Sequence, residues 1–308
     1  MKRPKWYRRL LYGLFVIARI LLPLLPLWVI RQLGQGLGTL ACVCLRRERA
    51  RTWEHLEQAF GQHHGAAERR RIASRVFQHL GMNGLEWLAS PKFTAAMLQR
   101  LIRVHGMEHV QQAITDGKGL IFLSAHFGNW ELLAAYFGSL GLRGGVVARR
   151  LRYPEYEDWL IAMRRAHGVE TFLRDASFKE LVRRLKAGEC IGLMPDQDVD
   201  SIDGIFVDFF GRPAYTPTGP AALALLTGAA LLPSYIVRGA HGRCDIYVEP
   251  PVVVRSTGDR DRDVREITQG WSRITERYIR TYPDQWVWMH RRWKTSPPVD
   301  STPMVEHA

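Results

Sequence analysis

One run of residues, 119–131, constrains what this chain can fold into: Gly-Leu-Ile-Phe-Leu-Ser-Ala-His-Phe-Gly-Asn-Trp-Glu. Asp116, Gly117, Lys118 and Gly119 read as a turn, and Leu120 to Leu123 form an apolar run of strand length. The pattern breaks at Phe127, Gly128 and Asn129, and residues 130–137 then have helical character. Strand, tight turn and helix make an α/β unit. It places His126 at the carboxyl end of the strand, where open α/β sheets gather their ligands.

On one continuous helix, residues five apart lie about 140° round the axis and cannot share a small substrate. The break at Gly128 removes that restriction for His126 and Glu131. The spacing predicts that the Glu131 carboxylate stands behind the imidazole and fixes its tautomer, leaving the other ring nitrogen to take a proton from a hydroxyl. A plainer reading makes Glu131 a carboxylate complementing the helix dipole and His126 a satisfied turn residue. If the site is catalytic, the main-chain amide at Gly128 is a candidate oxyanion donor and Asn129 a candidate substrate contact.

The chain has 308 residues, 46% of them hydrophobic, which suits one large domain with appendages better than two equal domains. A formal net charge of +13 implies an anionic partner, whether nucleic acid, an acidic membrane surface or a phosphorylated substrate. No zinc-finger spacing or RNA-binding signature accompanies the charge. Cys42, Cys44, Cys190 and Cys244 form neither a metal-binding spacing nor a disulfide framework, which points to a reducing compartment.

Residues 10–30 are almost wholly apolar, interrupted by Arg19, Pro23 and Pro26, and are long enough to span a bilayer. Lys2, Arg3, Lys5, Arg8 and Arg9 precede them, and Arg31, Arg46, Arg47, Arg49 and Arg51 follow, so the charge distribution sets no clear orientation. Residues 37–45 form a weaker apolar stretch. Residues 1–48 are therefore expected to be a membrane anchor, as a span, a hairpin or an in-plane helix. Residues 49–296 would be the catalytic domain and 297–308 a disordered tail.

Further along, helical stripes at residues 49–60 and 68–87 read as packing faces. Residues 145–149 form a short strand ending in Arg149, a candidate for contacting an acidic substrate group or steadying an oxyanion; a solvated arginine is the plain alternative. A buried-type strand, residues 190–194, leads to Asp196, Gln197 and Asp198, with Asp200 and Asp203 close by, in a spacing that matches no calcium loop. Residues 282–294 interleave Trp286, Trp288 and Trp293 with His290, Arg291, Arg292 and Lys294, a mixture suited to stacking bases or to a bilayer interface.

Three ordered blocks carry a resemblance. His-Phe-Gly-Asn-Trp-Glu (126–131), Gly-Ile-Phe-Val-Asp-Phe-Phe-Gly with the following Ala214 and Thr216, and the 282–294 string resemble the bacterial lipid A late acyltransferases, within the wider acyltransferase group that shares a His-x4-Asp/Glu motif. Lesser likenesses are Arg51 with Leu56 and Phe60, where His55 replaces the usual asparagine, and Arg164 or Arg165 with Gly168. The resemblance, over residues 49–294, implies a mixed sheet flanked by helices, of the glycerolipid acyltransferase type. It implies transfer of a fatty acyl chain from acyl carrier protein, or acyl-CoA, to a hydroxyl of a lipid A precursor or related glycolipid. The expected setting is the bacterial inner membrane, with the catalytic domain facing the cytoplasm, no nucleic-acid partner, and no metal or cofactor.

On that reading His126 is the general base and Glu131 its support. Asn129, Arg149, Asp196 and Gln197 contact substrate, and Gly128 and Arg149 steady the oxyanion. Aromatic residues of the 204–211 block are expected to wall an acyl trough, or else to be ordinary core. The chain has no Gly-x-Ser-x-Gly elbow, which disfavours an acyl-serine route. A membrane-attached nucleic-acid-binding protein is the reading from another class.

Overall fold

The computed structural model describes residues 5–174, 178–239 and 242–298. Elements run in the order α1 (Lys5–Leu21), α2 (Leu27–Cys44), α3 (Arg46–Phe60), α4 (Ala66–Leu88), α5 (Ala95–Leu101), β1 (Ile102–His105), α6 (Met107–Asp116), β2 (Leu120–Leu123), α7 (Trp130–Ser139) and β3 (Gly144–Ala148). They continue with α8 (Pro154–Ala166), β4 (Glu170–Leu173), α9 (Phe178–Lys186), β5 (Cys190–Leu193), β6 (Gly204–Phe209), β7 (Arg212–Pro217), α10 (Gly219–Thr227), β8 (Ala230–Arg238), β9 (Cys244–Val248) and α11 (Arg260–Thr281).

Seven strands form one sheet in the order β1-β9-β8-β2-β5-β3-β4. Strands β8, β2, β5, β3 and β4 are mutually parallel, and β9 turns antiparallel to β8 while running parallel to β1. This is the mixed sheet that the resemblance implied. The apolar run of β2 is buried on both faces, as a central parallel strand must be. Phe122 on one face joins Leu133, Phe137 and Leu232, whereas Ile121 and Leu123 on the other join Ile191, Leu223 and Trp271. Separately, β6 and β7 make an antiparallel hairpin whose end carries Phe210 at φ 58°, ahead of Gly211.

The amino end departs from the expected span. Helix α1 stops at Leu21, a short 3-10 turn covers Leu22–Leu24, and α2 starts after Pro26. Proline lacks the N–H that a continuing helix needs, so Pro23 and Pro26 divide the apolar stretch. Among the described residues no helix is long and apolar enough to cross a membrane. Instead α2 lies tightly on α4. Gly34 and Gly38 face Gly81, and a Cβ at Gly34 would stand 2.6 Å from the Met82 Cα. Such backbone approach is open only to glycine. The other side of the pair is bare: Leu10, Leu14 and Ile17 on α1, and Leu33, Leu37 and Leu40 on α2, are exposed at helical spacing. Helix α1 also packs Phe15 against Tyr156 and Trp159 of α8. The expected tail falls largely on residues 299–308, and the first basic residues on 1–4, outside the described residues.

Candidate active site

Strands β2 and β5 are neighbours with Leu123 beside Leu193. Three residues beyond each strand end, His126 and Asp196 therefore stand at the same level. Asp196 Oδ1 accepts a hydrogen bond from His126 Nδ1 at 2.8 Å, and Oδ2 accepts from the His126 main-chain N–H at 2.9 Å. Trp286 Nε1 donates to the same Oδ2 at 2.9 Å. Asp196 is 2% exposed. Burial alone would push its carboxyl up, but the His126 and His290 rings and the Trp286 N–H outweigh burial and hold it well below the usual carboxylate range. An ionised Asp196 selects the tautomer with hydrogen on Nδ1, leaving the Nε2 lone pair of His126 free to accept a proton.

Glu131 therefore does not stand behind the imidazole. Its two oxygens take the guanidinium fork of Arg164, at 2.9 Å to Nε and 2.5 Å to Nη2. Arg164, not Arg165, is the arginine of this site; it comes from α8 and is buried. The local spacing suggested Glu131 because it is near in sequence, but α7 rises toward α8 and carries the carboxylate there.

Gln197 Nε2 lies between two imidazoles, 3.1 Å from both ring nitrogens of His126, and 2.9 and 3.2 Å from those of His290. Equal distances to Nδ1 and Nε2 put the amide over the face of the His126 ring, off the in-plane Nε2 lone pair. Burial, reinforced by the neighbouring His126, lowers the His290 pKa to about 4. His290 and Trp286 belong to the carboxyl-terminal string whose composition suits an interface. Instead the string runs beside the catalytic turn: Gly128 N–H donates to Gln285 O at 2.8 Å and Val287 N–H to His126 O at 3.1 Å. Trp286 and Trp288 are core residues at 1% and 0% exposure, so they present no surface to a base or a bilayer. His55, which donates to Trp288 O across 2.7 Å, serves the same packing.

Two expectations for the turn also change. The Gly128 amide is already committed to Gln285, so it is not an oxyanion donor. Gly128 sits at φ 56° with its Cα against the Ile236 carbonyl, a position only glycine can hold. Asn129, expected to touch substrate, is buried; its Oδ1 caps α7 through Leu132 N–H, and its Nδ2 donates to Glu86 at 2.8 Å. Beyond the turn, Asp198 accepts from Thr295 and Asp200 pairs with Lys294.

His126 opens onto a cleft of about 770 Å³. Its apolar part follows the sheet face formed by Phe122, Val146 and Gly192, under Leu133 and Phe137 of α7 and Leu160 of α8. Gln197, Glu131, the buried Arg164 and the exposed Arg149, Arg174 and Lys294 also line the cleft. The exposure of Arg149 there fits a solvated arginine as well as one that meets substrate. Phe209 and Phe210 do not line the cleft but pack with Phe60, Trp286 and Trp288, so the 204–211 block supplies core rather than the acyl trough. A histidine with a carboxylate partner, beside an apolar slot that cationic side chains also line, is an arrangement able to deprotonate a hydroxyl next to a long apolar chain.

Comparison with known proteins agrees with that chemistry. The chain matches the family of bacterial lipid A biosynthesis acyltransferases over residues 1–295. It is 30% identical over 276 residues to the lipid A biosynthesis lauroyltransferase of Escherichia coli (strain K12), covering 89% of this chain and 88% of that protein. It is 26% identical over 284 residues to the lipid A biosynthesis palmitoleoyltransferase of the same organism, covering 90% and 89%. A phosphatidylinositol mannoside acyltransferase of Mycobacterium tuberculosis is 30% identical over 204 residues, 65% of this chain and 61% of that protein. The chain belongs to the bacterial lipid A biosynthesis acyltransferase family and is an O-acyltransferase.

Proposed function

We propose that the protein moves a fatty acyl group from a thioester carrier to a hydroxyl of a lipid A precursor, with His126 as general base and Asp196 as the carboxylate that orients it. The observation that carries this reading is the 2.8 Å His126–Asp196 pair at the head of the apolar cleft. Nε2 of His126 takes the hydroxyl proton as the oxygen attacks the thioester carbon. The tetrahedral intermediate collapses with release of the carrier thiolate, which recovers the proton from the imidazolium. Asp196 supports the imidazolium while it lasts.

With the Gly128 amide engaged, the oxyanion falls to a side chain. Arg164 lines the cleft, is fixed by Glu131, and has an Nη1 with no protein partner, which supports it as the donor. Glu131 then acts through Arg164. Arg149 is assigned to an acidic group of the substrate. The charge of +13 suits an acidic acyl carrier protein as donor and a phosphorylated acceptor. The mycobacterial relative supports a second acceptor class, another glycolipid, with acyl-CoA as the donor to compare.

We also assign the bare apolar stripes of α1 and α2 to the headgroup region of the inner membrane, lying in its plane on the cytoplasmic side. Mass spectrometry of lipid A from cells with and without the gene tests the acceptor: one acyl chain is expected to disappear. An unchanged lipid A with a shift in another lipid reassigns the substrate, and full transfer by His126→Ala rejects the mechanism.

A further inference from the structure

Behind the catalytic turn, on the side away from the cleft, lies a closed polar ring. Glu86 of α4 is fully buried and accepts from Arg31 Nε at 2.6 Å, Arg238 Nη1 at 2.6 Å, Arg238 Nη2 at 2.7 Å and Asn129 Nδ2 at 2.8 Å. Arg238 Nη2 also donates to Asn83 Oδ1 at 2.8 Å, and Asn83 Nδ2 donates to the Gly128 carbonyl at 2.6 Å. Gln285 closes the ring, bridging the Arg238 main chain to the Gly128 amide. Both residues that follow Phe127 are thus held from behind. Three of the anchoring elements, α4, β8 and the 285–287 segment, belong to the catalytic body, but Arg31 comes from α2.

We propose that the amino-terminal helix pair is part of the catalytic apparatus, with Arg31 a positioning residue that fixes the His126 turn through Glu86 and Asn129. This rests on the acyltransferase reading above. The physical case has two parts. First, a carboxylate with no solvent access needs its opposite charges; removing one partner leaves it pulling on the other and on Asn129. Burial pushes the Glu86 carboxyl up, yet Arg238 and Arg31 together bring it down to about 2. Second, α2 has no freedom to relax around the ring, because Gly34, Gly38 and Gly81 bring its backbone against α4. Any shift of Arg31 therefore passes to Glu86 rather than being absorbed at the helix contact. A plain anchor would need neither a buried ion pair nor a glycine seam.

The test uses the purified full chain in detergent, comparing wild type with Arg31→Met and Arg31→Met/Glu86→Gln. Arg31→Met is expected to lose about 10²-fold in kcat, the cost of misplacing a reacting group by about 1 Å, with KM nearly unchanged. The double variant also takes the carboxylate away from the buried Arg238 guanidinium, so its kcat should fall at least as far as that of the single variant. In the single variant the charged and titratable groups facing Glu86 among the described residues are Arg238 from β8 and Cys244 from β9, so its ionisation moves up and kcat gains an acid-side loss that the double variant lacks. Wild-type kcat in either variant overturns the proposal, as does a loss confined to KM. If Arg31→Met does not fold, Arg31→Gln decides, because it keeps an N–H for Glu86 without the charge: it is expected to lose kcat on the acid side, and wild-type kcat across pH overturns the proposal. Wild-type enzyme and His126→Ala run alongside: absent transfer in the first, or full transfer in the second, refutes the acyltransferase mechanism and not the role of Arg31.

Discussion

Replacing Asp196 by asparagine isolates the pair on which the mechanism depends. Three donors converge on this carboxylate: the His126 main-chain N–H, His126 Nδ1 and Trp286 Nε1. The amide has one oxygen to offer and turns an N–H toward the remaining donors, so the imidazole loses the partner that holds hydrogen on Nδ1. Loss of that tautomer in a histidine–carboxylate pair costs about 10⁴-fold in kcat, or about 5.5 kcal/mol. The folding cost is smaller, about 1–3 kcal/mol for the unmet buried donors, so the protein should stay folded. Glu131→Gln is the matched comparison. It leaves the base intact but removes the charge opposite buried Arg164, costing about 3 kcal/mol or more of stability and about 10²-fold in kcat at most. The assay follows acyl transfer by mass spectrometry at saturating donor and acceptor, with thermal melts on the same samples. Asp196→Asn within about tenfold of wild type, beside a loss of about 10⁴-fold in Glu131→Gln, would return the supporting role to Glu131 and refute the argument.

Other predictions follow from the same geometry. Gly192 lies on the cleft floor level with Phe122, about 13 Å along the sheet from His126 at about 3.3 Å per residue, and a Cβ there already meets Val146 Cγ1 at 3.0 Å. Gly192→Leu should therefore shift transfer toward shorter acyl chains in a mixed-donor assay; an unchanged profile would place the chain elsewhere. Leu14→Glu with Leu37→Glu should weaken cosedimentation with anionic vesicles by at least about 10²-fold, each lost apolar contact being worth about 1.5–3 kcal/mol. Equal binding by that variant and wild type rejects the in-plane assignment. His290 has its pKa lowered from 6.5 to about 4 by burial and by His126. Between those values the unfolded chain binds a proton that the folded chain refuses, so stability is complete above pH 6.5 and falls as pH drops toward 4, by about 3 kcal/mol at most for this group. His55 and His167 shift in the same direction, so His290→Gln should flatten the acid slope of chemical denaturation without abolishing it; an identical slope would remove His290 from the account.

Much was legible in residue order. The run at 119–131 showed strand, turn and helix because apolar burial, the glycine break and helix start are local properties, and β2 and α7 lie where that pattern put them. His126, Asp196 and Gln197 were recognisable one by one as polar groups at strand ends. The partner of His126 was not. Glu131 is five residues away and Asp196 is seventy, and only the adjacency of β2 and β5 brings the second to the imidazole while α7 carries the first to Arg164. Strand adjacency is set by packing of the whole sheet, so no local pattern contains it.

The same division explains the remaining differences. Hydropathy counted the apolar residues of the amino end correctly, but Pro23 and Pro26 broke the helix, and contact with α4 showed which of those residues stay bare. Tryptophans beside arginines in residues 282–294 looked interfacial because composition cannot distinguish a wet surface from a core. Trp286 is buried because its N–H meets Asp196, and Arg292 because its guanidinium meets the Tyr215 carbonyl and Thr216. The sequence by itself determined the α/β unit, the histidine at its strand end and the family. Tertiary structure decided which carboxylate serves that histidine and what holds its turn, because hydrogen bonds and ion pairs form between atoms near in space, whatever their separation along the chain.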